Sequence, residues 1–305
     1  MERGILYPGQ GAQFEGMGRD WADAFDVARQ TFAEADEALG FSLTEKLWSS
    51  GDEVNRTDIA QPGIYTVGVA ITRVLRERGL DTDAAPLTAG LSLGEYTALW
   101  CAGGIDFADG LRLVRLRGEA MQDAAEQLPS GMISLMGATE EQADKLAAVG
   151  SAHGICAVAN LNAPGQIILS GEHPALEAAA AAAKDHGVRR TRALVVAGGF
   201  HSECMRPAAD RLRTALAEVE IRTPRIPFLS NVTGDRTEDA VAIKEQLAQQ
   251  VCAPVRWEKS MRWALAAGIH EFLEPGPGEI LAGIMRKIDK DADVLSAATP
   301  AKLQA

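Results

Sequence analysis

The pentapeptide Gly90-Leu91-Ser92-Leu93-Gly94 limits the possible folds of this chain more than any other stretch. A short apolar run (residues 86–90) leads into it, and a helical run (94–101) leaves it with almost no spacer. Glycines flanking a serine at this spacing let a chain turn sharply from strand to helix and push the hydroxyl out of the backbone. The helix start then offers unpaired N–H groups and partial positive charge to that hydroxyl. A plain structural turn is the competing reading, and the strand–turn–helix setting weighs against it.

The rest of the chain supplies the layers such a turn needs. Residues 4–8 read as a buried strand ending in Pro8-Gly9-Gln10-Gly11, and 21–39 and 59–78 read as helices. Asp106 with Asp109 resembles a capped helix start, and Leu111, Val114, Met121, Ala125 and Leu128 extend that helix over 107–127. Next come a strand (131–137), a helix (139–149), strands 155–160 and 166–170 about the turn Asn162-Ala163-Pro164-Gly165, a helix (174–186) and a strand (189–196). That β-α-β-β-α-β order predicts a ferredoxin-like small domain over 129–197, inserted into a core made of 1–128 and 198–305. Strands at 225–231 and 270–273 alternate with helices at 206–219, 244–251, 257–267 and 279–288, predicting an α/β core with a mostly parallel sheet.

Length and charge narrow the function. At roughly 150 residues per domain, 305 residues allow two such units, with a core large enough to need neither disulfides nor metals. A net charge of -12 argues against broad nucleic-acid binding, so any anionic ligand needs a local basic group. Cys101, Cys156, Cys204 and Cys252 are scattered without a CxxC pair, which fits reduced thiols better than a zinc site. The start carries no leader-like apolar region, and no apolar run approaches the roughly 20 residues that cross a bilayer. The expectation is a cytoplasmic, monomeric, free-standing protein without metal or cofactor.

Serine is a poor nucleophile until a base takes its proton. His173 and His186 sit at helix ends, His153 in a loop, and His270 at the start of a strand. His201 follows Gly198-Gly199-Phe200, where a strand emerges and a helix begins, and is the candidate base; a helix-capping role is the alternative.

With these residues in hand, the chain resembles the malonyl-CoA:acyl-carrier-protein transacylases along nearly its whole length. The matching pieces are PGQGAQ (8–13), QP (61–62), GLSLGEYTAL (90–99), LVRLRGEAMQ (113–122), GMISLMG (131–137), NAPGQIILSG (162–171), GFHSECM (199–205) and APVRW (253–257) with Gln250 upstream. The resemblance implies an α/β-hydrolase-like core with a ferredoxin-like insert. It implies Ser92 as nucleophile, His201 as general base, and the carbonyl of Gln250 as acceptor of the second imidazole proton. Gln10 and the N–H of Leu93 would form the oxyanion hole, and Arg117 would grip the malonyl carboxylate. Arg112 and Arg115 share its helix and compete for that role. Phe200 matches the malonyl-selective form of its motif.

Asn160, Asn162 and Gln166 lie on the hairpin that faces the cleft in the family, where Asn160 would bond substrate or brace His201; ordinary turn polarity explains Asn162 equally well. Arg189, Arg190 and Arg192 form a basic run that would meet the phosphates of CoA or an acidic carrier protein, or else is a solvated strand end. Two departures stand out: Leu91 occupies a position where most members carry histidine, and Gly198-Gly199 looks loose enough to alter the hinge of the insert. A serine esterase or thioesterase, a non-catalytic carrier-docking subunit and a discrete polyketide malonyltransferase are the other readings.

Overall fold

The computed structural model describes residues 3–303. Its strands are β1 (Gly4–Tyr7), β2 (Thr88–Gly90), β3 (Ser130–Met136), β4 (Cys156–Ala163), β5 (Gln166–Glu172), β6 (Arg190–Ala193), β7 (Phe228–Ser230), β8 (Asp235–Thr237), β9 (Glu271–Glu274) and β10 (Asp293–Ser296). Its helices are α1 (Arg19–Ala24), α2 (Asp26–Leu39), α3 (Leu43–Trp48), α4 (Thr57–Glu77), α5 (Gly94–Cys101), α6 (Phe107–Gln127), α7 (Glu140–Ser151), α8 (His173–Ala182), α9 (Arg206–Glu218), α10 (Ala240–Gln249), α11 (Trp257–Ala266) and α12 (Ile280–Ile288).

The larger sheet has six strands in the order β10-β9-β1-β2-β7-β8, parallel except for the β7–β8 pair at its edge. A parallel sheet is covered on both faces, so its strands read as apolar runs and successive residues enter opposite cores. Ile5 and Tyr7 join one core with residues of α2, α4, α5 and α6, whereas Leu6 joins the other with Trp257, Met261 and Leu281. Phe228 and Leu229 divide between the same two cores, as do Leu273 and Phe272.

The second sheet is antiparallel, in the order β4-β5-β3-β6, and carries α7 and α8. Its helices pack on it around a separate cluster that includes Ile133, Leu146, Leu169 and Leu176. Main-chain bonds tie β4 of this sheet to the segment that leads into α11: Leu161 N–H donates to Val255 O at 2.9 Å, and Val255 N–H donates to Ala159 O at 2.8 Å. Among the described residues no helix is long and apolar enough to cross a membrane.

Several local expectations shift. The helix expected over 21–39 is two helices, because Phe25 takes an extended conformation (φ -136°, ψ 128°) between α1 and α2. Asp106 stands at the N-cap of α6 but makes no capping bond; its carboxylate pairs with Arg222 instead. The capping box lies on α7, where Thr139 and Gln142 each bond the other's backbone N–H, at 3.2 and 2.9 Å. The helix expected over 174–186 ends at Ala182, and the strand expected over 225–231 shrinks to β7. Gly198 and Gly199 are close-packed, contrary to the looseness expected of them. A Cβ on Gly198 would lie 2.5 Å from that of Ala125, and the N–H of Gly199 donates to Ser130 Oγ at 2.9 Å.

Candidate active site

The loops after β1 and β2 leave the carboxyl ends of adjacent central strands, the usual place for a site in such a sheet. Tyr7 and Gly90 are register partners there. A Cβ on Gly90 would come 1.9 Å from the carbonyl carbon of Gly94, and one on Gly94 would come 2.1 Å from Tyr7 O. The flanking glycines are therefore steric necessities of a turn wedged against β1. Ser92 itself is left-handed, at φ 53°, and the only other non-glycine with positive φ among the described residues is His201, at 60°. Such conformations are uncommon for residues with a Cβ and persist where surrounding structure enforces them.

These two strained residues meet. Ser92 Oγ lies 2.8 Å from His201 Nε2, and His201 Nδ1 lies 2.7 Å from the carbonyl oxygen of Gln250. A carbonyl only accepts, so Nδ1 carries the proton and Nε2 presents its lone pair to the serine hydroxyl. Among the described residues no carboxylate bonds to the imidazole. The N–H groups of Gln10 and Leu93 have no acceptor among the described residues. The Gln10 turn sits directly on the elbow, since a Cβ on Gly9 would be 2.3 Å from Leu91 O and 3.8 Å from Leu93 N. The side chain of Gln10 points elsewhere, donating to Thr57 Oγ1 at 3.3 Å.

Arg117 comes from α6 and is only 1 % exposed. It donates to Gln61 Oε1 at 2.7 Å, Gln250 Oε1 at 2.9 Å and Ser92 Oγ at 3.0 Å, all neutral oxygens, and its Nε–H has no hydrogen-bond partner among the described residues. Burial holds its pKa below the ordinary value. Burial, reinforced by the Arg117 charge, also lowers His201 to about 4, so the imidazole is a neutral acceptor at physiological pH. The neighbouring arginines are engaged elsewhere: Arg112 pairs with Asp109, and Arg115 with Asp58 and Glu119.

Side chains without an expected role complete the cluster. Gln250 uses its side chain as well as its carbonyl: Nε2 donates to Ser92 O at 2.9 Å and to the buried carboxyl of Glu95. Burial pushes Glu95 up to about 7, against the pull of Gln250 and Asn231. Asn231 bonds both sides of the serine turn. Gln61 and Glu95 fall inside matched motif pieces, so their position was visible but not their contacts. Asn231 had no such signal, because it reads as the end of a strand.

The other expected residues make no side-chain hydrogen bond to this cluster among the described residues. Both imidazole nitrogens are committed to Ser92 and Gln250, so Asn160 does not brace His201; it is buried where β4 bridges to Val255. Asn162 is buried, and its Oδ1 has no hydrogen-bond partner among the described residues. Gln166 accepts from Lys287 of α12 at 2.9 Å. Phe200 is packed into the main core. Arg190 is exposed on β6, opposite Met136 on β3. Leu91 packs against the core that includes Leu6 and Trp257, which an apolar side chain suits.

Residues 5–302 match the acyl transferase domain family. A Bacillus subtilis malonyl CoA-acyl carrier protein transacylase is 36% identical, over 98% of this chain and 94% of the relative. The Escherichia coli K12 protein of that name is 37% identical, over 93% of this chain and 92% of its own. The crystal structure of an acyl carrier protein S-malonyltransferase from Vibrio cholerae superposes with a TM-score of 0.95 at 37% identity, covering 100% of this chain and 99% of that one. A malonyl-transacylase solved in complex with its type II PKS acyl-carrier protein gives the same TM-score and identity over 100% and 98% of the two chains. With its family match spanning almost every residue and its strained serine and histidine in contact, the chain belongs to the acyl transferase family, among the malonyl-CoA:acyl-carrier-protein transacylases.

Proposed function

We propose that this chain moves a malonyl group from malonyl-CoA to the phosphopantetheine thiol of acyl carrier protein through a malonyl ester on Ser92. His201 Nε2 takes the hydroxyl proton as Ser92 Oγ attacks the thioester carbon, and the same proton then passes to the departing CoA sulfur. The carrier thiol gives up its proton to His201 in the second half-reaction, attacks the acyl-serine and leaves the hydroxyl restored. The Gln250 carbonyl holds the tautomer throughout. It stabilises the imidazolium less than a carboxylate would, which suffices because a thiolate leaves readily. The free N–H groups of Gln10 and Leu93 suit the developing oxyanion, where such donors are typically worth about 3–4 kcal/mol each.

One observation carries the choice of acyl group: a buried guanidinium with no salt-bridged carboxylate among the described residues stands 3.0 Å from the nucleophile. An unpaired buried charge is expensive, so the site favours an acyl chain that brings an anion. The β4-β5-β3-β6 order supports reading residues 129–197 as a ferredoxin-like insert in a hydrolase-like core built from 1–128 and 198–305. Asn160, Asn162 and Phe200 would line the acyl and pantetheine path, with Gln166 and Arg190 farther out on the insert. The reaction needs no cofactor, and the enzyme would work as a cytoplasmic monomer supplying fatty-acid synthesis. A discrete polyketide pathway is the second reading, favoured by the likeness to the PKS transacylase.

Intact-mass measurement after exposure to malonyl-CoA tests the proposal. The expected result is a single malonyl adduct, absent in Ser92→Ala and discharged by carrier thiol. Rapid release of free malonate without dependence on a thiol would make the protein a hydrolase instead.

A further inference from the structure

The turn at Ser92 is held by a side chain that the transfer chemistry does not use. Asn231 directly follows β7, the sheet neighbour of β2. Its Oδ1 accepts from the N–H of Ser92 at 2.6 Å, and its Nδ2 donates to the carbonyl of Gly90 at 2.7 Å. Only this orientation of the carboxamide satisfies both partners, because a backbone N–H must donate and a carbonyl must accept. The Asn231 backbone is fixed as well: its N–H donates to Glu95 Oε1 at 3.3 Å, and its carbonyl accepts from Arg256 N–H at 2.9 Å. The residue is 1 % exposed, and every polar group on it is engaged.

That clamp sits on the peptide groups flanking a residue at φ 53°. If those bonds are removed, the half-buried serine N–H loses its partner, and the turn is free to relax toward negative φ. Such a rotation moves two catalytic features together. It swings Oγ away from His201 Nε2 and turns the next peptide, whose N–H belongs to Leu93. We propose that Asn231 is a positioning residue for acyl transfer, its carboxamide bridging Gly90 and Ser92 so that the hydroxyl meets His201 while the Leu93 N–H stays open to the oxyanion. The inference rests on the acyl-serine reading above and adds the device that holds its nucleophile in place.

Single-turnover formation of the malonyl adduct, followed by quenched intact-mass measurement against malonyl-CoA concentration, separates positioning from binding. In Asn231→Leu the limiting acylation rate should fall about 100-fold, the scale of roughly 1 Å misplacement. The half-saturating concentration should stay within about threefold, because the Arg117–Gln61 contact is untouched. Asn231→Asp provides a second readout. Its carboxyl can donate to Gly90 only when protonated, and burial beside Glu95 favours that form. Its rate relative to wild type should therefore recover as pH is lowered from about 7.5 to 5.5. A limiting rate near that of wild type, a loss confined to half-saturation, or a pH-independent deficit in Asn231→Asp would overturn the inference. Should Asn231→Leu fail to fold, Asn231→Asp decides alone. An adduct persisting in Ser92→Ala would instead remove the acyl-serine reading itself, so the two failures are distinguishable.

Discussion

Arg117 acts on two atoms at once, which makes its removal informative in two ways. It contacts the nucleophile at 3.0 Å, and its charge helps hold His201 at about 4. Arg117→Ala should weaken malonyl transfer by about 3–5 kcal/mol in kcat/KM, the range for breaking a buried ionic contact, and leave neutral acyl-CoA thioesters far less affected. Neutral imidazole is the working form, and it is present above its pKa. Wild type should therefore hold its acylation rate down to about pH 5, while the variant, whose imidazole stays buried but is relieved of the neighbouring positive charge, should begin to lose rate at a higher pH than wild type. Repeating the titration in a Glu95→Gln background keeps the buried carboxyl, which titrates near 7, from mimicking that limb. Acylation rates with malonyl- and acetyl-CoA across this range measure both effects; an unchanged acid limb would remove the coupling between guanidinium and base. Ser92, His201 and Arg117 were legible because each sits in a motif whose chemistry demands that residue type. The polar frame around them was not, since Gln61, Glu95 and Asn231 act through contacts made only after elements distant in sequence pack together.

At the scale of elements, two helix starts, one expected to be capped and one not singled out, behave differently for a physical reason that pattern alone misses. Asp106 and Thr139 both precede helices with acids in the first turn, yet only Thr139 closes a capping box. Asp106 is half of an exposed ion pair with Arg222, a class worth less than about 1 kcal/mol. Thr139→Ala should therefore cost about 1 kcal/mol of stability by chemical denaturation. Asp106→Ala should cost clearly less, and the reverse order would show that the capping bonds of α7 contribute little. The long helices α6 and α9 were readable from periodicity because each buries one broad face, and α4, buried on nearly every side, from its length of largely apolar sequence. Short ones were not: α3, β8 and β10 have three to six residues, too few for a period to register. The break at Phe25 is equally invisible, because residues on either side continue the same apolar stripe into the core.

Across the whole molecule, charge has to be reconciled with partners that are themselves anionic. A protein at -12 repels CoA and an acidic carrier at long range. On the exposed β6 side of the small sheet, Arg190 and Arg192 join Arg189, and none of the ion pairs among the described residues includes them. Pattern alone located that run, but only folding shows that its charges are left uncompensated while arginines such as Arg73, Arg213 and Arg222 are paired. The two effects respond oppositely to salt. Screening relieves the global repulsion and would speed the reaction, whereas it weakens close attraction to the arginine run and would slow it. If carrier docking uses that run, contact attraction dominates. The second-order rate of malonyl discharge onto carrier should then fall several-fold as ionic strength rises from about 0.05 to 0.3 M, where the Debye length shrinks to less than about 10 Å. Arg190→Glu should lower the rate at low salt and flatten the dependence, while formation of the malonyl adduct from malonyl-CoA stays within about twofold of wild type. A discharge rate that rises with salt, unchanged by Arg190→Glu, would place the carrier on another face.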